Sequence, residues 1–429
     1  MKPQIVVWLV RDTCRVSDNP ALIKANAIAK SADAVLVPLV CLEPRRWADQ
    51  QFGLARAGEH WCRFRAESIR ALRDALIEMG SDLWVSAEEP VYAVNRALDQ
   101  YSIKAVVTDQ PLASEERLET ARLEAEGFHC DLVSTDDLFR FEQLPFELDE
   151  LPATFSKFRK VVEKKPGLTP DKPVIQPELV GCVEQPWPDP VEWIDALDYA
   201  MSDQIEVPTE GGETAAMTHW QAYLDAKALS HYKVTRNAFC GPMQSSHLSA
   251  WLAHGCLSAR TVWWDTLDYE AREGANESTY WLRFELLWRE FFRWYSRAND
   301  WTLFRRRGPN DIDISGDQNS RRFETWKSGN TGCDIVDAAM RELNQTGWMS
   351  NRARQLVASH LIYESNLDWR LGAAYFESQL VDYDVASNWG NWAYIAGVGP
   401  DPRGGRIFNL NDQADRYDPD HVYRRRWLT

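Results

Sequence analysis

Short apolar runs rich in β-branched residues alternate with amphipathic runs up to about residue 135. The apolar runs predict five strands, at Ile5–Val10, Ala34–Cys41, Asp82–Ser86, Ala105–Thr108 and Cys130–Ser134. Helical patterns fill the gaps, the clearest from Ala55 to Met79. Helices between strands predict a doubly wound parallel sheet, so we assign an α/β domain to residues 1–135. Its switch point offers a crevice, but no G-x-G-x-x-G or Walker loop follows the first strand.

The rest of the chain has a different pattern. Residues 136–210 are rich in Pro and short of periodicity, which predicts an inter-domain linker with one short helix at Phe155–Lys165. From Gly211 to Thr429 the strand patterns disappear, and an all-α second domain follows. Its predicted helices span residues 212–228, 246–255, 258–273, 278–297, 332–345, 350–364, 370–379 and 382–388.

Composition narrows the class of protein. With 45% hydrophobic and 26% charged residues, the 429-residue chain is typical of a soluble globular protein, and most of its 20 Trp lie in the helical half. A net charge of −16 argues against non-specific coating of DNA, although clusters of Arg occur in the C-terminal half. The eight Cys are scattered without zinc spacing, so we expect reduced thiols and no metal site. No long apolar stretch occurs, and we expect a cytoplasmic protein without a membrane segment.

One predicted helix carries an unusual stripe. Trp281, Glu285, Trp288 and Phe292 share one face of the 278–297 helix, so a carboxylate lies between two indoles. Taken alone, such a Glu more often partners a buried polar group than a substrate. Arg289 follows Glu285 by four residues, which is the spacing of an ordinary helix ion pair.

Two further stretches suggest binding of an anion or a polar ligand. Three hydroxyls, from Ser245, Ser246 and Ser249, precede an apolar helix and serve either as caps or as donors to a phosphate. Further on, the 350–364 helix places Asn351, Arg354, Gln355 and Ala358 on one face. A buried Arg354 requires a partner, and two carboxylates, Asp382 and Asp384, follow downstream.

Several longer sequence motifs resemble those of a known protein family. The stretches "FELLWREFFRWYSR", "TGWMSNRARQLVAS", "VDYDVASNWGNWAYIAGVGPDPR" and "IFNLNDQADRYDPD" resemble the flavin-binding half of the photolyase/cryptochrome family. Together with "LPATFSKFRKVVE" and "YKVTRN", they resemble its DASH-type cryptochromes most. The resemblance implies an antenna-type, Rossmann-like N-terminal domain and an all-α FAD-binding domain spanning residues 211–429.

The same resemblance implies a site residue by residue. The expected FAD-binding residues are Tyr232, Ser245, Ser246, His247, Leu248, Ser249, Arg289, Arg354, Asp382, Tyr383, Asp384 and Asn388. Within this set Arg354 pairs with Asp382, and Asn388 faces flavin N5. The residues expected to receive an extruded pyrimidine dimer are Glu285, Trp288, Asn351, Arg352, Gln355, Tyr394 and Arg403. Trp288 would stack on the damaged bases and Glu285 would bond their edge.

The resemblance also implies an electron relay and an antenna. Trp392 would begin the relay and Trp369 would continue it, so both join Glu285 and Asn388 as catalytic candidates. The third Trp of many relatives is Gly316 here; Trp326, Trp301 or a tyrosine could substitute, or photoreduction is poor. The N-terminal domain could hold an antenna chromophore, but Pro111 replaces the Glu that helps hold a folate in DASH relatives.

The implied function is FAD-dependent, blue-light-driven repair of cyclobutane pyrimidine dimers, with single-stranded DNA as the preferred partner and a monomeric protein. Asn351 and Gln355 stand where the related (6-4) photolyases carry His, which argues against that lesion. One alternative is a blue-light photoreceptor that photoreduces FAD, repairs little and signals to a partner. The other is a light-independent protein that binds single-stranded nucleic acid.

Overall fold

A parallel sheet and a helical bundle make up the computed structural model, which describes residues 2–42, 50–175, 178–187 and 210–429. The strands of the five-stranded sheet are β1 (Gln4–Val10), β2 (Val35–Cys41), β5 (Trp84–Ser86), β6 (Ser102–Asp109) and β7 (Cys130–Val133). Their order is β5-β2-β1-β6-β7, and all the pairs are parallel, as predicted. A short hairpin supplies β3 (Gln50–Gln51) and β4 (Leu54–Ala55). Parts of the predicted linker, residues 176–177 and 188–209, lie outside the described residues.

The central strand β1 is buried on both faces. Val6, Trp8 and Val10 join the large core that continues into the helical part, whereas Ile5 and Leu9 belong to a separate core on the other face. Alternate residues of a strand point to opposite faces, so a continuous apolar run is typical of a strand covered twice. The helices around the sheet are α1 (Pro20–Ser31), α2 (Glu59–Glu78), α3 (Pro90–Ala97) and α4 (Ser114–Ala125).

The remainder of the described chain is helical. The helices are α5 (Phe155–Lys164), α6 (Glu213–Asp225), α7 (Tyr232–Thr235), α8 (Ser249–Ala253), α9 (Ala259–Glu273), α10 (Glu277–Asn299), α11 (Ser320–Lys327), α12 (Asp334–Thr346), α13 (Asn351–Ser359, continued by a π turn at His360–Glu364), α14 (Trp369–Gln379), α15 (Val385–Ala396), α16 (Leu410–Tyr417) and α17 (Val422–Leu428). None of the helices in the described ranges is long and apolar enough to cross a membrane.

Two predicted helices have wrong bounds. The predicted 246–255 helix contains only the five residues of α8, so Ser245 and Ser246 precede it and do not cap it. The predicted 382–388 helix instead begins at Val385 and runs to Ala396, because Gly390 does not end it. A Cβ at Gly390 would overlap the ring of Phe292, so this glycine serves the close approach of α15 to α10.

Buried ion pairs join the sheet to the bundle. Asp18, in the loop after β1, accepts from two guanidinium nitrogens of Arg260 at 2.9 and 3.0 Å. Asp137, which follows β7, accepts from Arg293 at 2.7 Å and from Arg297 at 2.9 Å, both on α10. Because these charges are buried and mutually paired, they fix the position of α10 against the sheet.

Candidate functional site

A cavity of about 500 Å³ opens in the helical part, between α10, α13 and α15 and the loop before α8. Eighteen of the predicted site residues line it: Tyr232, Ser245, Ser246, His247, Leu248, Ser249, Glu285, Trp288, Arg289, Asn351, Arg354, Gln355, Asp382, Tyr383, Asp384, Asn388, Trp392 and Tyr394. Three others, Arg352, Arg403 and Trp369, are not among its lining residues. The chain therefore brings the two expected binding sets, for cofactor and for substrate, to one cavity.

The predicted pairing of Arg354 with Asp382 is present. Two guanidinium nitrogens of Arg354 donate to the two carboxylate oxygens of Asp382 at 3.0 and 2.8 Å, and Arg354 also donates to the main-chain oxygen of Met349. Two parallel charge-assisted bonds hold both side chains in one orientation. The pair joins α13 to the loop before α15 and forms a rigid polar wall.

The i, i+4 spacing suggested an ion pair between Arg289 and Glu285, and this pair does not form. Arg289 donates to two main-chain oxygens, of Asp136 at 2.9 Å and of Leu252 at 3.2 Å. Burial, with a contribution from the neighbouring Arg293, lowers the pKa of Arg289. Main-chain carbonyls orient this guanidinium without cancelling its charge, so its cavity face suits an anion.

Glu285 pairs with a different arginine. Its Oε1 lies 2.8 Å from a guanidinium nitrogen of Arg236, which follows α7. Burial raises the pKa of Glu285, and the charge of Arg236 opposes that rise. Arg236 also lines the cavity, although the sequence analysis did not name it. Its spacing one helical turn after Tyr232 was the available signal.

The loop before α8 presents small polar side chains to the cavity. Ser245 and Ser246 of this loop and Ser249, the first residue of α8, flank His247, whose φ is 51°. A non-glycine residue in this left-handed region is held there by its surroundings. Burial lowers the pKa of His247 to about 4, so the imidazole is neutral near pH 7. The loop therefore offers neutral donors, with Arg289 as the nearby charge.

Asn388 has an unused acceptor. Its Nδ2 donates to the main-chain oxygen of Ala373 at 3.0 Å, whereas its Oδ1 is buried and has no hydrogen-bond partner among the described residues. A buried acceptor left without a donor costs about 1–3 kcal/mol. Since Asn388 lines the cavity, a ligand N–H there would satisfy Oδ1. This atom fits the FAD predicted from the sequence.

Aromatic rings form the end of the cavity near Glu285. One face of Trp288 stacks on Phe155 of α5, with ring centroids 3.7 Å apart and planes 13° apart. Tyr394 meets Trp288 edge-on at 5.7 Å, and its hydroxyl accepts from Arg406. The stacking fixes the indole as a flat wall of the cavity. Trp281 of the same predicted stripe does not line the cavity and instead lies under Lys233.

Two predicted substrate residues lie behind or beyond this end. Arg352 donates to Oε1 of Gln355 at 3.0 Å and so orients a lining side chain without lining the cavity itself. Arg403 is exposed, and its main-chain N–H donates to Asp401. Arg406, which the sequence analysis did not name, holds Tyr394 instead. Asn391 and Trp348 also line the cavity and were not predicted.

The relay candidates are packed indoles. Trp392 lines the cavity and packs on α14 at Gly372. Trp369, one turn earlier on α14, is buried and donates its indole N–H to the oxygen of Arg306. Gly316 has φ +127°, and a Cβ there would lie 2.7 Å from the oxygen of Leu367. A tryptophan does not fit at 316 with this backbone.

The surroundings of Pro111 are closed. Pro111 is buried, and its main-chain oxygen accepts from Nε of Arg297 at 3.1 Å. The oxygen of the next residue, Leu112, accepts from Ser296 at 2.8 Å. The end of α10 therefore covers this loop, and position 111 offers neither a carboxylate nor an open surface to a folate.

Known proteins resemble the chain over its whole length. Residues 5–178 match the family described as DNA photolyase, and residues 281–429 match the FAD binding domain of DNA photolyase. The chain is 40% identical to the cryptochrome DASH of Idiomarina loihiensis, over 98% of this chain and 92% of that protein. A solved cryptochrome from Synechocystis sp. gives a TM-score of 0.93 at 36% identity and covers 100% of this chain and 89% of its own. A class III photolyase from Agrobacterium tumefaciens gives 0.82 at 26% identity, over 100% and 86%.

Proposed function

The chain belongs to the photolyase/cryptochrome family, and we propose that it repairs cyclobutane pyrimidine dimers in DNA, preferentially single-stranded, by blue-light-driven electron transfer from FAD. The similarity to cryptochrome DASH proteins covers the sheet and the bundle together. We include in the proposal a monomeric, cytoplasmic protein with DNA as its macromolecular partner.

The cavity residues fit FAD by their chemistry. Hydroxyls of the loop before α8 and the charge of Arg289 suit phosphate groups. The bidentate Arg354–Asp382 pair gives a fixed polar wall, and Oδ1 of Asn388 can accept a hydrogen bond from an N–H group of the ligand. When bound and reduced, FAD supplies an electron to the dimer on absorbing blue light and recovers it after the ring has split.

One observation carries the repair proposal: the same cavity has a second polar set among its lining residues. Glu285, which pairs with Arg236, lies one helical turn before the flat indole of Trp288 on α10, and Asn351 and Gln355 also line the cavity. Carboxylate and amide groups can bond the carbonyls and N–H groups of a base edge, while the indole packs on the ring. A base pair must open before its bases enter such a cavity, which costs less in a single strand.

Repair is tested on the reduced holoprotein. The protein is reduced chemically without oxygen, mixed with a single-stranded oligonucleotide that carries one thymine dimer, and exposed to blue light. We expect intact thymines by chromatography, slower repair of the same dimer in duplex DNA, and no repair in the dark. An unrepaired dimer beside normal flavin photoreduction would favour the photoreceptor. A colourless protein that binds single strands in the dark would favour the light-independent alternative.

The residues proposed to bind the dimer are tested separately from those proposed to bind FAD. Glu285→Gln keeps the size of the side chain and removes its charge, so dimer affinity should fall by about tenfold while FAD content stays constant. Glu277→Gln is the matched control, because Glu277 lies on the same helix α10 but is exposed and pairs with Lys233. Loss of FAD in E285Q would place Glu285 with the cofactor instead.

A further inference from the structure

The third tryptophan of the relay, which many relatives carry, cannot be accommodated at its usual position in this chain. Gly316 occupies its position with φ +127°, and the main-chain oxygen of Leu367 lies 2.7 Å from where a Cβ would be. Electrons that enter through Trp392 must therefore come from another side chain. The packed indoles around Trp392 are the first candidates.

Four indoles form one cluster across α11, α14 and α15. Trp369 meets Trp389 edge-on, with centroids 5.8 Å apart, and Trp326 meets Trp392 edge-on at 6.3 Å. Trp389 and Trp392 lie one helical turn apart on α15. Trp326, Trp369 and Trp389 are all nearly inaccessible to solvent, so an oxidised indole among them cannot release its N–H proton to water.

The hydrogen-bond partners of these indoles differ in chemistry. Trp369 donates to the oxygen of Arg306 at 2.9 Å, and Trp326 donates to the oxygen of Val357 at 3.0 Å. A main-chain carbonyl is not a useful proton acceptor. Trp389 instead donates to Oε2 of Glu377 at 3.3 Å, and a carboxylate can take a proton. An oxidised indole is a much stronger acid than a neutral one. Proton transfer along this contact would therefore stabilise the oxidised state on Trp389 relative to the other indoles.

An ion-pair chain connects Glu377 to the surface. Arg56 donates to Oε1 of Glu377 at 2.9 Å and to Glu115 at 2.8 Å, and the Glu115 side chain is 48% exposed. If Glu377 accepts a proton, Arg56 keeps Glu115 as its partner. The guanidinium is then never left as an unpaired charge, which would be costly at this partly buried position.

We propose that Trp389 and Glu377 form the outer end of the relay in this chain, an inference that rests on the proposed flavin function. Trp392 gives one electron toward the photoexcited flavin, and the electron vacancy passes through the indole cluster to Trp389. Oxidised Trp389 transfers its indole N–H proton to Oε2 of Glu377 and becomes a neutral radical. A thiolate then returns one electron to Trp389, the proton comes back from Glu377, and two thiyl radicals combine to a disulfide.

The experiment uses FAD-loaded holoprotein under blue light with a small thiol as reductant. Electron paramagnetic resonance and transient absorption identify the tryptophanyl radical and its protonation state, and flavin absorbance gives the photoreduction yield. We expect a neutral radical in the wild type. In E377Q the radical should remain a short-lived cation, and the yield should fall by about tenfold, less than the ~100-fold that a positioned proton acceptor contributes to a rate, because recombination competes.

Variants distinguish the Trp389–Glu377 pair from other indoles as the outer end of the relay. W389F should lose the long-lived radical and lower the yield as E377Q does, since both remove the same proton transfer. E277Q is the matched control, because it removes an exposed carboxylate that pairs with Lys233 and belongs to neither the indole cluster nor the ion-pair chain, and its radical should stay neutral. FAD content and thermal unfolding show whether each variant is folded.

Two results would overturn the inference. One is a W389F yield equal to that of the wild type; the other is loss of the radical in W326F or W301F with its retention in W389F. Failure of the proposed function is distinguishable from both. It would appear in the wild type itself, as a protein that binds no FAD or whose chemically reduced form repairs no dimer.

Discussion

Two regions of this molecule, the carboxyl edge of the sheet and the helical cavity, gather polar side chains, and they differ in how far those side chains already bond one another. At the carboxyl edge of the sheet, Arg11 donates to Glu119 and Thr120, and Thr13 donates to Asp109. In the helical cavity, by contrast, Arg289 meets only carbonyls among its hydrogen-bond partners, and Oδ1 of Asn388 has no partner within the described ranges.

The comparison teaches where a ligand belongs. A group whose bonds are already made gains nothing from a ligand and loses its partners if one enters. The switch point of a doubly wound sheet is a common ligand site, but here its side chains mainly bond one another and the bundle. The cavity of the bundle keeps bonding capacity unused, so it is the place for a cofactor.

Breaking the paired region should have the largest effect. Asp137→Asn removes the charge that two buried arginines, Arg293 and Arg297, share, and should lower the free energy of unfolding by about 3–5 kcal/mol. The loss should be similar with and without FAD, as measured by denaturant unfolding. Asp149→Asn, at an exposed position, should change the stability by less than about 0.5 kcal/mol. A loss seen only in the FAD-loaded form would contradict the division between the two regions.

The two regions should also respond oppositely to pH. Burial and the nearby Asp136 raise the pKa of Asp109 to about 6, so the folded state binds a proton more readily and loses stability as pH rises from about 4 to 6. Burial lowers the pKa of His247 to about 4, so the unfolded state binds the extra proton and stability rises from about pH 4 to 6.5. Each contribution is on the order of 3 kcal/mol.

The free energy of unfolding of the FAD-free protein, measured between pH 4.5 and 6.5, distinguishes the contribution of Asp109 from that of His247. Asp109→Asn should remove the downward contribution, so its stability relative to the wild type improves as pH rises. His247→Gln should remove the upward contribution, so its relative stability declines over the same range. Parallel curves for the wild type and both variants would show that neither group titrates as its surroundings indicate.

On the cavity side, Arg289 is expected to stabilise bound FAD more than it stabilises the fold. Arg289→Ala should weaken FAD binding by about 2 kcal/mol, roughly 30-fold in Kd, because it removes one charge-assisted contact. The FAD-free protein should lose much less stability than D137N does. Binding is measured by flavin fluorescence, and Arg272→Ala, at an exposed position on α9, is the control. An R289A protein that binds FAD normally but unfolds easily would make Arg289 part of the paired region.

The sequence predicted more of the first region than of the second by pattern alone. Apolar runs located all five sheet strands, most clearly β1 and β2, because strands covered on both faces have few alternatives. Helix α15 was cut short, since a glycine needed for close packing on Phe292 looks the same in sequence as one that ends a helix. The motif resemblance supplied the cavity residues that pattern could not.

Side-chain partners were the least predictable feature. The spacing of Glu285 and Arg289 favoured an ion pair, but Arg236, distant in sequence, reaches Glu285 instead. Competition of this kind depends on three-dimensional packing, which helix spacing does not contain. The pairing of Arg354 with Asp382 came from the motif resemblance, because the need of Arg354 for a partner left Asp382 and Asp384 as alternatives.

The smallest expected effect concerns the antenna. Pro111→Glu restores the residue type that DASH relatives carry, yet position 111 is buried, and Arg297 and Ser296 bond the main-chain oxygens at this loop. Since this position offers no open surface to a ligand, folate content should stay unchanged in P111E. Chromophores released by denaturing both proteins, after incubation with methenyltetrahydrofolate, measure this by fluorescence. Folate retained by P111E and not by the wild type would mean that the loop opens, and the paired region would then have to be counted as a ligand site after all.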